Sequence, residues 1–211
     1  MTKPKGFYLS YSRINLYYHS PEEYFMRYVL GHCPKPTSNM EFGKIGHKAL
    51  EDRKFNWRKA LRDGRFLSRD ESVIENAQKQ IKQPDEAEIE FAVRSKWCLL
   101  YGIWDGIRWI DKTAKRGEID EYKFSGLGVW NAEKVNDDLQ LNFYAYAFSL
   151  RYKRVPDRLV LYHINRANGS VKKYPVPSSK RSKSEWIRRF KGIENIIEYC
   201  YDGITNERWE Q

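Results

Sequence analysis

Apolar residues recur with two different periods along this chain, and the period shows which element each stretch forms. From Asn136 to about Arg151, Leu139, Phe143, Ala147 and Leu150 return at helical spacing. Trp186, Phe190, Ile193, Ile197 and Cys200 mark a second apolar stripe. That helix opens at the capping box Ser182-Lys-Ser-Glu185 and should run to about Tyr201, with Gly203 as its terminator. Ser20-Pro21-Glu22-Glu23 is another helix start, with Ser20 as N-cap and Pro21 in the first turn, and Gly31 should stop it near Leu30. After a loop over Cys33 to Asn39, a long helix is expected from Phe42 to about Leu61. A very polar helix should follow from Ser68 to about Lys82, ending near Pro84.

Strand-like runs lie between these helices. Glu88 to Lys96 is the first. Trp97 to Asp105 and the run through Glu121 flank the polar turn Asp111 to Gly117 as a hairpin. Arg158 to Asn165 and Ser170 to Val176 form a second hairpin around Ala167-Asn168-Gly169. The polar-aromatic stretch from Tyr8 to Tyr18 is assigned no element. This order predicts an α/β fold, a central mixed β-sheet flanked by helices, in a single domain over residues 1–211.

Charge narrows the partners. A formal net charge of +10 over 211 residues favours polyanions, nucleic acid above all, through phosphate attraction and counterion release. Seven Trp and fifteen Tyr interleaved with basic residues suit base stacking beside phosphate contacts. The alternative is a cationic surface with no such partner. Cys33, Cys98 and Cys200 are dispersed and odd in number, which supports neither a disulfide framework nor a zinc knuckle. No signal-peptide pattern appears and no apolar run approaches about 20 residues, so a cytoplasmic protein without membrane association is expected.

The chemistry gathers at the first hairpin. Glu121 and Lys123 are two apart and share one face of a strand, Tyr122 takes the other, and the hairpin brings Asp105 alongside Glu121. Upstream, His47 and Glu51 lie four apart on one helix face. Buried carboxylates demand a compensating cation. Carboxylate oxygens suit Mg²⁺ or Mn²⁺, and an imidazole tilts the set toward Mn²⁺.

Four ordered pieces carry a family likeness: Gly43-x-x-Gly-His47-x-x-Leu-Glu51, Gly102-x-x-Asp105, Glu121-x-Lys123 and Gln140-x-x-x-Tyr144. The opening Ser10-Tyr-Ser-Arg-Ile-Asn15 and the Ser20-Pro21 helix start extend it. Together, over about Ser10 to Phe148, the sequence resembles the PD-(D/E)XK nuclease superfamily and, within it, the RecB-type nucleases. The resemblance implies a restriction-endonuclease-like core. His47, Asp105, Glu121 and the backbone carbonyl of Tyr122 would hold one or two Mg²⁺ or Mn²⁺ ions. Lys123 would be the catalytic lysine, Gln140 and Tyr144 would orient DNA or Lys123, and Glu51 would support His47 or lie near the metal. Ser12, Arg13, Lys180, Arg181 and Lys183 are candidate DNA contacts.

Two departures sharpen the likeness. Some relatives hold an iron–sulfur cluster on four cysteines, the first in a Cys-Pro pair where this chain has Ser20-Pro21, so no cluster is expected. Asp120 could replace Glu121 only after a one-residue slip, which would put it and Lys123 on opposite faces. The activity implied is metal-dependent DNA hydrolysis, foremost by an exonuclease in phage or bacterial DNA processing or recombination. A structure-specific or nicking endonuclease and a non-catalytic DNA-binding module are the alternatives. With no Walker A motif, ATP-driven action would need a recombination or replication partner protein. Polarity, strand preference and oligomeric state are left open.

Overall fold

The computed structural model describes residues 6–126 and 130–209. Its elements are β1 (Tyr8–Leu9), α1 (Tyr11–His19), α2 (Pro21–Tyr24) running into a π-helical turn (Phe25–Val29), α3 (Ser38–Glu51), α4 (Trp57–Asp63) and α5 (Ser68–Gln80). They continue with β2 (Glu86–Arg94), β3 (Leu99–Asp111), β4 (Arg116–Ser125), α6 (Ala132–Asn136), α7 (Leu139–Tyr152), β5 (Arg158–Asn165), β6 (Val171–Pro177), a short 3-10 turn (Ser178–Lys180) and α8 (Lys183–Thr205). The expected mixed sheet flanked by helices is present.

Strand β3 is the axis of the sheet. One edge carries β2, antiparallel from Glu86↔Ile107 to Arg94↔Leu99. The other edge is shared: β4 pairs antiparallel with Gly106 to Asp111, and β1 pairs parallel with Leu99 and Leu100. Between them, Tyr101 to Asp105 have no ladder partner on that edge, so β3 and β4 fork immediately after Gly106↔Asp120. Beyond the fork β4 runs parallel to β5, and β6 closes the sheet antiparallel to β5.

Each face of the sheet buries its own core. Trp104, Ile119, Leu159 and Leu161 pack with Leu141, Phe143 and Phe148 of α7 and Ile193 and Ile197 of α8. Tyr122, Val160, Tyr162 and Ile164 pack on the other face with Phe42, Ala49 and Leu50 of α3 and Val73, Ile74 and Ala77 of α5. Strand alternation therefore turns Glu121 and Lys123 toward α7, and Asp105, next to Trp104, toward α3.

Several boundaries differ from expectation, each with a local cause. The long helix over 42–61 is two helices. Thr37 caps α3 by accepting from Met40 N–H, so the helix begins inside the expected loop. At the break, Asp52 is extended and accepts from Lys54 N–H, and Asn56 caps α4 by accepting from Lys59 N–H. Such side chains offer the backbone an alternative to the helical ladder. Asp138 likewise starts α7 at Leu139 by accepting from Leu141 N–H, which separates it from α6. The segment from Tyr8 to Tyr18 forms β1 and α1, the helix capped by Ser10.

Gly203 does not terminate α8, which continues to Thr205. A Cβ there would lie 2.0 Å from the Tyr17 hydroxyl, so this glycine permits close packing of α8 on α1. The other caps agree with the sequence: Ser20 accepts from Glu23 N–H and Ser182 from Glu185 N–H. The second hairpin turns at Gly169, whose φ of +69° is left-handed.

Candidate active site

The fork is the candidate site. Where the β3–β4 ladder ends, the Asp105 carboxylate takes over and accepts the Tyr122 N–H at 2.8 Å. The same oxygen lies 3.4 Å from His47 Nδ1 on α3. Gly46 lets α3 come this close, because a Cβ at that position would stand 2.5 Å from the Phe124 ring of β4. The second glycine of the Gly-x-x-Gly-His frame is therefore a packing requirement of the site.

His47, Glu51 and Asp105 each offer a ligand atom, and these atoms lie within 4.8 Å of one another. Glu51, expected beside His47 or near the metal, is thus a member of the cluster itself. Glu121 stands on the α7 side of the opening, with its Oε1 2.6 Å from Lys123 Nζ. Gln140 ties this half together: its carbonyl accepts from Lys123 at 2.5 Å, and its amide donates to Glu121 at 2.7 Å and to the Tyr144 hydroxyl at 3.1 Å. The helical spacing of Gln140 and Tyr144 thus has a chemical counterpart.

Buried charge in this cluster is unevenly compensated. Burial and the neighbouring Asp105 push the Glu121 carboxyl up to about 8, against the pull of Lys123 and His47. Burial and Glu88 push Glu51 up to about 8, against the pull of His47. Burial pulls the His47 imidazole down, but Asp105, Glu121 and Glu51 outweigh it and raise it to about 9. Burial opposes the charge of Asp105, yet His47 and the Tyr122 N–H hold its carboxyl below the usual range. Burial also works against the Lys123 ammonium, but Glu121 keeps it raised and protonated.

Glu51 Oε2 and Glu121 Oε2 are buried with no hydrogen-bond partner. Surplus carboxylate, an imidazole nitrogen and orphaned buried oxygens make a donor set that fits a hard divalent cation. Without one, protons fill the deficit.

The cluster opens into a cleft of about 870 Å³. Ser12 and Arg13, two of the candidate DNA contacts, line it. Arg181 does not: it is buried, donates to Asn136 and lies over the Trp186 ring at 4.6 Å, so it braces α6 against α8. Lys183 is exposed at the start of α8, away from the cleft lining, and the Lys180 side chain lies outside the described residues.

Sequence reasoning missed Glu88, whose carboxylate lies against Glu51 and 2.7 Å from Lys48 Nζ. Glu88 faces Asp105 across the β2–β3 ladder at the one step that does not pair, between Ala87↔Gly106 and Ile89↔Trp104. Its φ of +48° is left-handed in mid-strand. Nothing in a strand-like run of alternating residues signals such a break. Tyr8 of β1 and Tyr28 of the π-helical turn also line the cleft and were not singled out, because they lie twenty residues apart in different elements and only the fold brings them together.

Comparison with known proteins bears on the family and the fold. The model of the PD-(D/E)XK nuclease superfamily matches residues 8–210. No curated protein matches the chain by sequence. Among solved structures, a protein from Eubacterium rectale described as a candidate exonuclease superposes with a TM-score of 0.67 at 10% identity, over 96% of this chain and 83% of that one. SSO0001 is similar over 87% of this chain and 92% of its own, at 12% identity, but its TM-score of 0.36 carries no argument. The first likeness shows a shared fold, and the family match supplies the identity. The chain belongs to the PD-(D/E)XK nuclease superfamily.

Proposed function

We propose that the protein is a divalent-metal-dependent deoxyribonuclease that trims DNA from its ends as an exonuclease, in phage or bacterial DNA processing or recombination. The observation that carries the reading is the meeting, at one fork, of the His47–Glu51–Asp105 cluster with the Glu121–Lys123–Gln140 network.

His47, Glu51, Asp105 and Glu121, with the backbone carbonyl of Tyr122, would hold Mg²⁺ or Mn²⁺. Such an ion supplies Lewis-acid polarisation of a phosphate and a water of lowered pKa. The other roles belong to the chain. Asp105 fixes the His47 ring and the Tyr122 backbone, so the ligand set is pre-organised. Lys123 stays protonated, steered by Glu121 and Gln140, and offsets charge that builds on the attacked phosphate. Gln140 sets the Lys123 and Glu121 geometry, and Tyr144, which accepts from Gln140, keeps its own proton free to donate.

The test is digestion of end-labelled linear DNA and of covalently closed circles with Mg²⁺ or Mn²⁺. Wild type should degrade linear DNA, while Lys123→Ala and Asp105→Ala should bind without cutting. Cutting of closed circles would favour the endonuclease reading. If both variants cut like wild type, the site is misassigned.

A further inference from the structure

One wall of the cleft is built from groups that hydrolysis itself leaves unused. The Arg13 guanidinium sits between two tyrosine rings, 4.2 Å from the centroid of Tyr8 and 4.8 Å from that of Tyr28. One of its N–H groups donates to the Tyr8 carbonyl at 3.0 Å. Among the described residues no carboxylate pairs with it, so it is a rigidly held cation whose remaining donors are free. Lys44 on α3 is exposed, lines the same cleft and likewise has no ion-pair partner among the described residues. Two unpaired cations thus stand over an acidic floor that would otherwise repel a phosphate chain.

The wall is also aromatic. Tyr8 packs edge-on against Tyr101 at 5.4 Å, and Tyr28 leans on Tyr24 at 5.0 Å, so both rings are fixed from behind. Tyr28 is exposed and belongs to the π-helical turn Phe25–Val29, a local geometry frequent at functional sites. Fixed aromatic rings beside free cations recognise single-stranded nucleic acid, whose bases can stack and whose phosphates can pair. A duplex covers its base faces by stacking on its own neighbours and has none to offer except at its ends.

We infer that the Tyr8–Arg13–Tyr28 wall selects single-stranded DNA, laying phosphates on Arg13 and Lys44 and bases against the tyrosines, so that a duplex reaches the metal cluster only through a single-stranded or frayed end. This rests on the nuclease reading above.

The experiment measures binding of labelled single-stranded, blunt duplex and closed circular duplex DNA to the Lys123→Ala protein with Mg²⁺, beside cleavage of the same DNAs by the wild type. Single strands should bind about ten-fold or more tightly than blunt duplex, and adding Tyr28→Ala or Arg13→Ala should remove about ten-fold of single-strand affinity. Tyr28→Phe should retain it. Melting temperature and Mn²⁺ affinity are followed in parallel; if Arg13→Ala perturbs the fold, Tyr28→Ala with the Tyr28→Phe control decides. Equal affinity for duplex and single strand, or no loss on Tyr28→Ala in a protein that melts normally, overturns the inference. Failure of the nuclease reading would look different: wild type would cut no DNA with either metal while the single-strand preference persisted.

Discussion

Asp105 and Tyr122 are joined across the fork by a bond that belongs to neither strand's ladder: a carboxylate oxygen receives a backbone N–H at 2.8 Å just after the last β3–β4 pair. The aspartate thus closes the sheet and holds the candidate metal ligand His47 with one oxygen atom. Its two duties separate by substitution. Asp105→Asn keeps an acceptor for the Tyr122 N–H and should melt within about 1 kcal/mol of wild type, while Asp105→Ala should lose about 1–3 kcal/mol by leaving that N–H unpaired. Both should lose metal affinity, by about ten-fold or more. Thermal melts and Mn²⁺ titration of the pair check this; equal melting of the two would show that the bond contributes nothing.

Lys123 and Gln140 should differ in degree. Lys123→Ala removes the cation proposed to offset charge on the attacked phosphate and should cut turnover by about 10²–10³-fold, with DNA still bound. Gln140→Ala leaves the ammonium in place but unsteered, held by Glu121 alone, and should cost about ten-fold, again in turnover. Single-turnover cleavage with excess enzyme separates these effects from binding.

The metal-free protein should lose stability as pH rises from about 5 to about 9. Glu51 and Glu121 have carboxyls raised to about 8 when folded, against about 4.3 when unfolded, so the folded state holds more protons through that window. His47, raised to about 9 against about 6.5, adds a loss of the same sign above neutrality. Melting temperatures in chelator across this range should fall, and saturating Mg²⁺ should flatten the slope by replacing the protons. A rising or flat metal-free profile would contradict the charge balance drawn for the cluster.

Gly203→Ala would ordinarily stabilise a helix by about 1 kcal/mol. Here the new methyl group meets the Tyr17 hydroxyl at 2.0 Å, and that hydroxyl donates to the Arg208 carbonyl at 2.6 Å. A net loss of about 1–3 kcal/mol is expected from overpacking. Combining it with Tyr17→Phe, which removes the clashing oxygen, should recover part of the loss, as paired denaturation curves would show.

Much of this arrangement was legible beforehand because it rests on short-range rules. The spacing of Glu121 and Lys123 fixed their common face, the hairpin brought Asp105 to the same end of the two strands, and the capping residues Ser20 and Ser182 marked their helices. What escaped depends on contacts between distant segments. Gly203 carries the same local signal whether it ends a helix or admits a tyrosine from α1. Arg181 looks like any surface arginine until Asn136 and Trp186 enclose it. The break at Asp52 to Asn56 was present in the sequence as two capping side chains, hidden within an apolar rhythm that carries on through Trp57 and Leu61.

The fork also gives the candidate reaction centre two independent foundations. His47 and Glu51 are anchored through α3 to the core on one face, and Gln140 and Tyr144 through α7 to the core on the other. Substitutions that resize one core can reposition the candidate metal ligands or the lysine network without moving the other. The two halves meet at one narrow seam, where Asp105 accepts the Tyr122 N–H.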